Sequence, residues 1–217
     1  MPIKASLLSC DLLNLGAEIR LLEEAGVGGL HIDVMDGNFV PNIAFGIDAI
    51  RQVCAFTKLP ISVHLMVSNP LQFIDVVTYT NVQYVIIHSE GNRHTEETME
   101  RIRNRSSKVG LAINPATRVS DVKDFLRLAD LALIMGVHPG YGGQTLIQST
   151  ISKIGQARCS NPEMLVAIDG GINEKTAYLA NREKADILVV GSYLFDNCSC
   201  NRLDCIKEKL KILCKED

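Results

Sequence analysis

The 217-residue sequence has no strong excess of either charge: 22 Lys and Arg against 25 Asp and Glu leave a net charge of -3 and a pI near 6.0. Its basic residues are spread along the chain, so the electrostatic footprint of a nucleic-acid-binding surface is missing and no nucleic-acid partner is expected. No apolar run approaches the ~18 residues of a membrane span, and the opening "MPIKASLLSCDLL" reaches an acid without the basic-then-apolar order of a secretion signal. The expectation is a cytoplasmic protein that acts on a small molecule, with no membrane partner.

Other absences narrow the architecture. No linker rich in Pro, Gly or Ser divides the chain, and with 47% hydrophobic residues one domain over 1–217 can bury a full core. No G-x-G-x-x-G follows the first apolar run, which argues against a doubly wound dinucleotide-binding sheet. Seven cysteines include no C-x-x-C pair, and the odd number suits a reducing compartment. Cys198, Cys200, Cys205 and Cys214 crowd the last twenty residues, and without paired spacing they read as helix packing and surface thiols rather than a zinc site.

What is present is a repeating unit. Eight short aliphatic runs recur, at 4–9, 29–34, 61–67, 84–89, 108–114, 131–137, 164–170 and 187–192. Stretches of helical period separate them, such as Leu15, Ile19 and Leu22 after the first run and Leu203, Ile206, Leu210 and Leu213 after the last. The runs are nearly continuous in apolar residues, as parallel strands covered on both faces are, and eight strand–helix units predict a (β/α)₈ TIM barrel.

In that fold the chemistry sits at the C-terminal strand ends, and side chains two apart share a face. In "HIDVMDG" (31–37), His31, Asp33 and Met35 therefore point one way, as do His64 and Met66 in "ISVHLMV", while Asp169 ends "LVAID". A lone strand-end Asp is ordinarily hydrogen-bonded to a neighbouring loop. Four ligating groups on three strands are harder to explain that way, and two imidazoles with two carboxylates suit a divalent ion: zinc, or manganese, iron or cobalt. Met35, Met66 and Met135 near the same strand ends are core fillers individually and together a dry, polarizable rim. Glycines in "HPGYGGQ" (138–144), "DGGIN" (169–173) and "GSYLF" (191–195) put backbone N–H groups after strands six to eight, where this fold commonly holds phosphate. His88 and His94 read as surface or hydrogen-bonding residues, and His138 lies in the proposed phosphate loop.

The segments "ASLLSCDLLNLG", "HIDVMDGNFVPNIAFG", "VHLMV", "GLAINPAT", "HPGYGGQ", "AIDGGIN" and "VVGSYLF" resemble, in order and over nearly the whole chain, the ribulose-phosphate 3-epimerase family. The resemblance implies one divalent metal per chain, zinc expected, held by His31, Asp33, His64 and Asp169. It makes Asp33 and Asp169 the acid and base, and Ser6 a substrate contact. Phosphate contacts would fall on Gly142, Gly143, Gly170, Gly171, Gly191 and Ser192, with His64, Met35, Met66 and Met135 also facing the substrate. Two departures stand out: "MGVHPG" where the family usually reads Met-Ser/Thr-Val-Asn/Glu-Pro-Gly, which puts Gly136 and His138 in unusual places, and Ser62 where Asp is common.

Inverting a carbon beside a ketone requires removing a proton from one face and returning it to the other, which two carboxylates can do. The implied reaction is D-ribulose 5-phosphate to D-xylulose 5-phosphate in the pentose phosphate pathway of carbohydrate metabolism, by an enzyme expected to be a homo-oligomer. D-allulose 6-phosphate, one carbon longer, is the nearest alternative substrate. A barrel decarboxylase or lyase would need lysine in an Asp-x-Lys-x-x-Asp array where "DVMD" has methionine, and a non-catalytic sugar-phosphate binder would differ by lacking turnover.

Overall fold

A computed structural model describes residues 2–196, 198 and 201–214, and it turns the eight apolar runs into strands. These are β1 (Ile3–Ser6), β2 (Gly29–Asp36), β3 (Ile61–Met66), β4 (Val82–His88), β5 (Lys108–Ile113), β6 (Leu131–Met135), β7 (Leu165–Asp169) and β8 (Ile187–Val190). Each pairs in parallel with its neighbours in sequence, and β8 returns to β1, so the sheet closes into the expected barrel. A two-residue antiparallel segment, Ile43–Ala44, adds to the end of β2.

The pleat sorts residues into two cores. Ile32 and Val34 of β2, Val63 and Leu65 of β3 and Ile134 of β6 face outward onto the helices, with Ile19 and Leu22 of the first helix packed in the same layer. Tyr84, Ile86, Ala112, Leu133, Ala167 and Val189 fill the barrel interior. Interior positions of β2 and β3 nearer the C-terminal end carry His31, Asp33 and His64 instead, all buried. The first and last helices, Leu15–Ala25 and Arg202–Leu213, meet where the chain closes the barrel, and Arg202 makes a two-pronged ion pair with the buried Glu18. The helical period read from Ile206, Leu210 and Leu213 corresponds to the buried face of that last helix.

Two expectations are corrected. The first run does not continue as strand to Ser9: the chain leaves the sheet after Ser6 and turns through a short 3₁₀ segment, with Leu7 completely buried. Cys198 and Cys205 are not thiols but a disulfide, joined across the start of the last helix where their Cα atoms lie 5.8 Å apart, within bridging range. Cys200 lies outside the described residues. Among those described, no helix is long and apolar enough to cross a membrane.

Candidate metal centre and substrate cavity

Strand register assembles the site. The β2–β3 pairing sets Asp33 beside His64, β1–β2 sets Ser6 beside His31, and β6–β7 sets Met135 beside Asp169. Ligand atoms of His31, Asp33, His64 and Asp169 all lie within 4.8 Å of one another. Nε2 of His31 is 3.3 Å from Oδ1 of Asp33 and 3.7 Å from Oδ2 of Asp169, and Nδ1 of His64 is 3.2 Å from the same Asp33 oxygen. His31 Nε2 is fully buried yet makes no hydrogen bond. An orphaned imidazole nitrogen facing two carboxylates is what a divalent cation would satisfy, so the donor set fits a metal.

Ser62 fixes the face that His31 presents. Its hydroxyl lies 3.3 Å from the Leu30 carbonyl, where its proton goes, and its oxygen then accepts from Nδ1–H of His31 at 2.9 Å. That tautomer turns the lone pair of Nε2 toward the cluster. A serine at this position thus serves as an acceptor for the ring.

The two carboxyls are electrostatically unlike. Burial alone would raise Asp33, but the charge of His31 beside it, with the hydrogen bond and charge of His64, outweighs burial and holds the group far below the usual carboxylate range. Asp169 is pushed up to about 7, by burial first and then by the negative charge of Asp33. His64 is lowered to about 4, mainly by burial. His31 is raised, because the two aspartates outweigh the burial that would lower it.

Above the cluster is a cavity lined by Ser6, Asp33, Met35, Met66, Met135, Gly142, Gly143, Asp169, Gly170, Gly171, Gly191 and Ser192, together with Leu8, Ser9, His138 and Tyr141. His31 and His64 are not in this lining: they are completely buried. The lining is braced across the mouth, where Asn42 donates to the Gly140 carbonyl at 2.7 Å and the Tyr141 hydroxyl donates to the Pro41 carbonyl. Asp36, the second aspartate of "HIDVMDG", is not part of the cluster. It accepts from the amides of Asn38, Phe39 and Ser68 and ties the loop after β2 to the one after β3.

Gly136 has a steric reason. Its amide donates to the Asp169 carbonyl at 2.6 Å, and a Cβ there would stand 2.4 Å from the Gly170 carbonyl oxygen. This is a direct backbone crossing between the loops after β6 and β7. Gly170 itself has φ of +102° and no room for a side chain against Val137. His138 is exposed at the cavity rim, where its carbonyl accepts from Gln144.

Sequence reasoning left Ser9 and Glu90 aside and read His88 only as a surface or hydrogen-bonding residue. Ser9 stands between the Gly142 and Gly191 loops, its Oγ close to where a Cβ on either would lie. His88 is buried at the end of β4 with Nε2 2.9 Å from Nε2 of His64, and Glu90 is the next link, 3.2 Å from Nδ1 of His88. The signal for His88 was its place at a strand end, as with His64. His94, by contrast, is an exposed residue beside Glu97.

A chain with a cluster able to hold a metal at the C-terminal mouth of its barrel, below a glycine-lined cavity, has close counterparts in sequence. Residues 2–195 match the ribulose-phosphate 3 epimerase family. The chain belongs to that family. Ribulose-phosphate 3-epimerase from Chlamydia pneumoniae is 37% identical over 197 residues, covering 88% of this chain and 86% of the relative. The Bacillus subtilis (strain 168) enzyme of the same name is 36% identical over 200 residues, covering 90% and 92%. The chloroplastic ribulose-5-phosphate-3-epimerase of Arabidopsis thaliana is 37% identical, covering 89% of this chain and 71% of its own. As a member of the epimerase family, the protein is an enzyme of the isomerase class. In fold alone it is also similar to a mutant tryptophan synthase alpha-subunit from Pyrococcus furiosus, with a TM-score of 0.72 at 15% identity over 98% of this chain and 97% of that one.

Proposed function

We propose that the protein interconverts D-ribulose 5-phosphate and D-xylulose 5-phosphate, with Asp33 and Asp169 moving the proton at the carbon beside the ketone. The observation that carries this reading is that two carboxyls, Asp33 and Asp169, meet in one cluster and both line the glycine-rimmed cavity. Two carboxyls at one reacting centre are suited to the roles of one base and one acid. Asp33, ionised, accepts the proton from one face of the substrate, Asp169 delivers one to the other, and the roles exchange in the reverse direction.

His31, Asp33, His64 and Asp169 would hold one divalent ion, and a mixed nitrogen and oxygen set favours zinc. When bound, the ion supplies Lewis-acid stabilisation of the negative charge that develops on the substrate's oxygens. Ser6 keeps Asp33 aimed, and the buried Met35, Met66 and Met135 exclude water around the reacting carbon. Backbone N–H groups at Gly142, Gly143, Gly170, Gly171, Gly191 and Ser192 hold the phosphate. Met35 lines the cavity where a decarboxylase array would carry lysine, which speaks for proton transfer alone.

Turnover of the purified, metal-loaded enzyme on ribulose 5-phosphate, allulose 6-phosphate and free ribulose tests the reading. Ribulose 5-phosphate should be the best substrate, and free ribulose far poorer because the remote binding energy of the phosphate is lost. Faster turnover of allulose 6-phosphate would move the assignment to the six-carbon sugar. Binding without turnover of either phosphate would make the protein a binder.

A further inference from the structure

A row of four buried or half-buried groups runs from the cluster to the far side of β4: Asp33, His64, His88 and Glu90. Its contacts are Asp33 Oδ1 to His64 Nδ1 at 3.2 Å, His64 Nε2 to His88 Nε2 at 2.9 Å, and His88 Nδ1 to Glu90 Oε2 at 3.2 Å. Phe39 packs against the ring of His88 at 4.8 Å between centroids, and Glu90 Oε1 accepts from the backbone amide of Asn114 at 2.9 Å. The far end of the row is thereby anchored to the residue that follows β5.

Counting protons makes the row directional. Each of its three contacts joins two lone-pair-bearing atoms and needs a proton or a cation between them, but two neutral imidazoles carry only two N–H groups. If those protons fill the contacts nearest Glu90, Nδ1 of His64 faces Asp33 as a bare lone pair, ready to share a cation with it. If they fill the contacts nearest Asp33, a proton occupies the place of the cation and His88 turns a lone pair onto a carboxylate.

We propose that Glu90, acting through His88, is the positioning device that holds His64 in its Nε2–H tautomer and so keeps Nδ1 directed into the metal cluster. This rests on the reading of His31, Asp33, His64 and Asp169 as a metal centre. Glu90 and His88 touch neither substrate nor ion. They act on His64 as Ser62 acts on His31, so each imidazole of the cluster has its own partner setting the ring proton.

Zinc affinity, measured by competition with a chelator of known affinity, tests the proposal in the full chain alongside the thermal midpoint of the metal-free protein. Glu90→Ala and His88→Phe should each weaken zinc binding by about 10- to 100-fold, the usual effect of losing a partner behind a ligating histidine. His88→Gln should restore most of it, because its amide oxygen accepts from Nε2–H of His64 while its NH₂ donates to Glu90, the same polarity as the imidazole. Nitrogen NMR of the zinc-loaded parent should find the ring proton of His88 on Nδ1. If the parent binds zinc and the variants bind it equally well, with only the thermal midpoint lowered, the row is structural and the proposal is wrong. A ring proton on Nε2 of His88 would overturn it as well. A parent that binds no divalent ion would instead remove the metal reading itself and the proposal with it.

Discussion

Oγ of Ser6 donates to Oδ2 of Asp33 at 2.8 Å, while the other carboxylate oxygen, Oδ1, faces both imidazoles of the cluster. One oxygen thus belongs to the ligand set and the other is held by a hydroxyl at the cavity wall. A hydrogen bond to a charged group contributes about 1.5–3 kcal/mol. Ser6→Ala should therefore lower kcat/KM by roughly 10- to 100-fold, with metal content unchanged, since the metal-facing oxygen is untouched. Steady-state kinetics with elemental analysis on the same sample check this, and an unaltered kcat/KM would show that Ser6 does not aim the base.

The raised proton affinity of Asp169 gives metal binding a pH dependence of known sign. The group keeps its proton up to about pH 7, and a cation must displace it. Below neutrality, affinity should fall by about tenfold for each pH unit for that one proton, and more steeply where the raised His31 also holds one. The metal-free fold should lose stability from the same group as pH rises from about 4 to about 7, because the unfolded chain ionises freely over that window and the buried carboxyl resists. Asp169→Asn removes this contribution. Zinc titrations at several pH values and melting curves of the metal-free protein give both slopes, and a flat affinity between pH 5.5 and 7.5 would contradict the assignment.

Much of this was readable in advance because it depends on period alone. In "HIDVMDG" the two-residue alternation puts Asp33 with His31 and turns Ile32 and Val34 to the helices, and the structure has that arrangement. Parity does not decide what the last residue of a strand will do, and Asp36, only three positions on, became a loop clamp through backbone amides no pattern announces. The His64–His88 contact was hidden for a related reason: it joins neighbouring strands, and lateral register is a three-dimensional property. The Cys198–Cys205 bridge was missed because seven-residue spacing says nothing about two thiols meeting at a helix start. Gly136 looked like an unexplained departure until its backbone was seen against the Gly170 carbonyl.

That contact makes a prediction opposite to the one family resemblance would suggest. Gly136→Ser restores a residue type common in the family, yet its Cβ would meet the Gly170 oxygen at 2.4 Å. Overpacking of this kind destabilises by about 1–3 kcal/mol, which for a chain of this size lowers the thermal midpoint by roughly 2–4 °C per kcal/mol. Because the displaced loop follows directly on Asp169 and carries the proposed phosphate contacts Gly170 and Gly171, KM for the sugar phosphate should rise as well. Differential scanning calorimetry and kinetics test it, and a Ser variant with the parent's midpoint and KM would show that the loops can separate without loss.

The two-carboxylate mechanism makes the most demanding prediction. Asparagine is nearly isosteric with aspartate and keeps an oxygen for the metal, but it cannot take up the substrate's proton. Asp33→Asn and Asp169→Asn should each reduce epimerisation by at least the 10²- to 10⁴-fold that general acid–base catalysis contributes. The sharper signal is isotopic. A variant that keeps the base for one epimer can still remove that epimer's proton and return deuterium from heavy water to the same face, giving labelled substrate without product. With the base for the opposite face missing, the other epimer should stay unlabelled. Asp33→Asn and Asp169→Asn should therefore label opposite members of the ribulose and xylulose 5-phosphate pair, as read by mass spectrometry of recovered sugar. Both residues belong to the proposed ligand set, so metal content must be matched between variants before exchange is compared. If either variant, carrying its metal, interconverts the two epimers at the parent rate, that aspartate neither gives nor takes the proton and the mechanism is wrong for this enzyme.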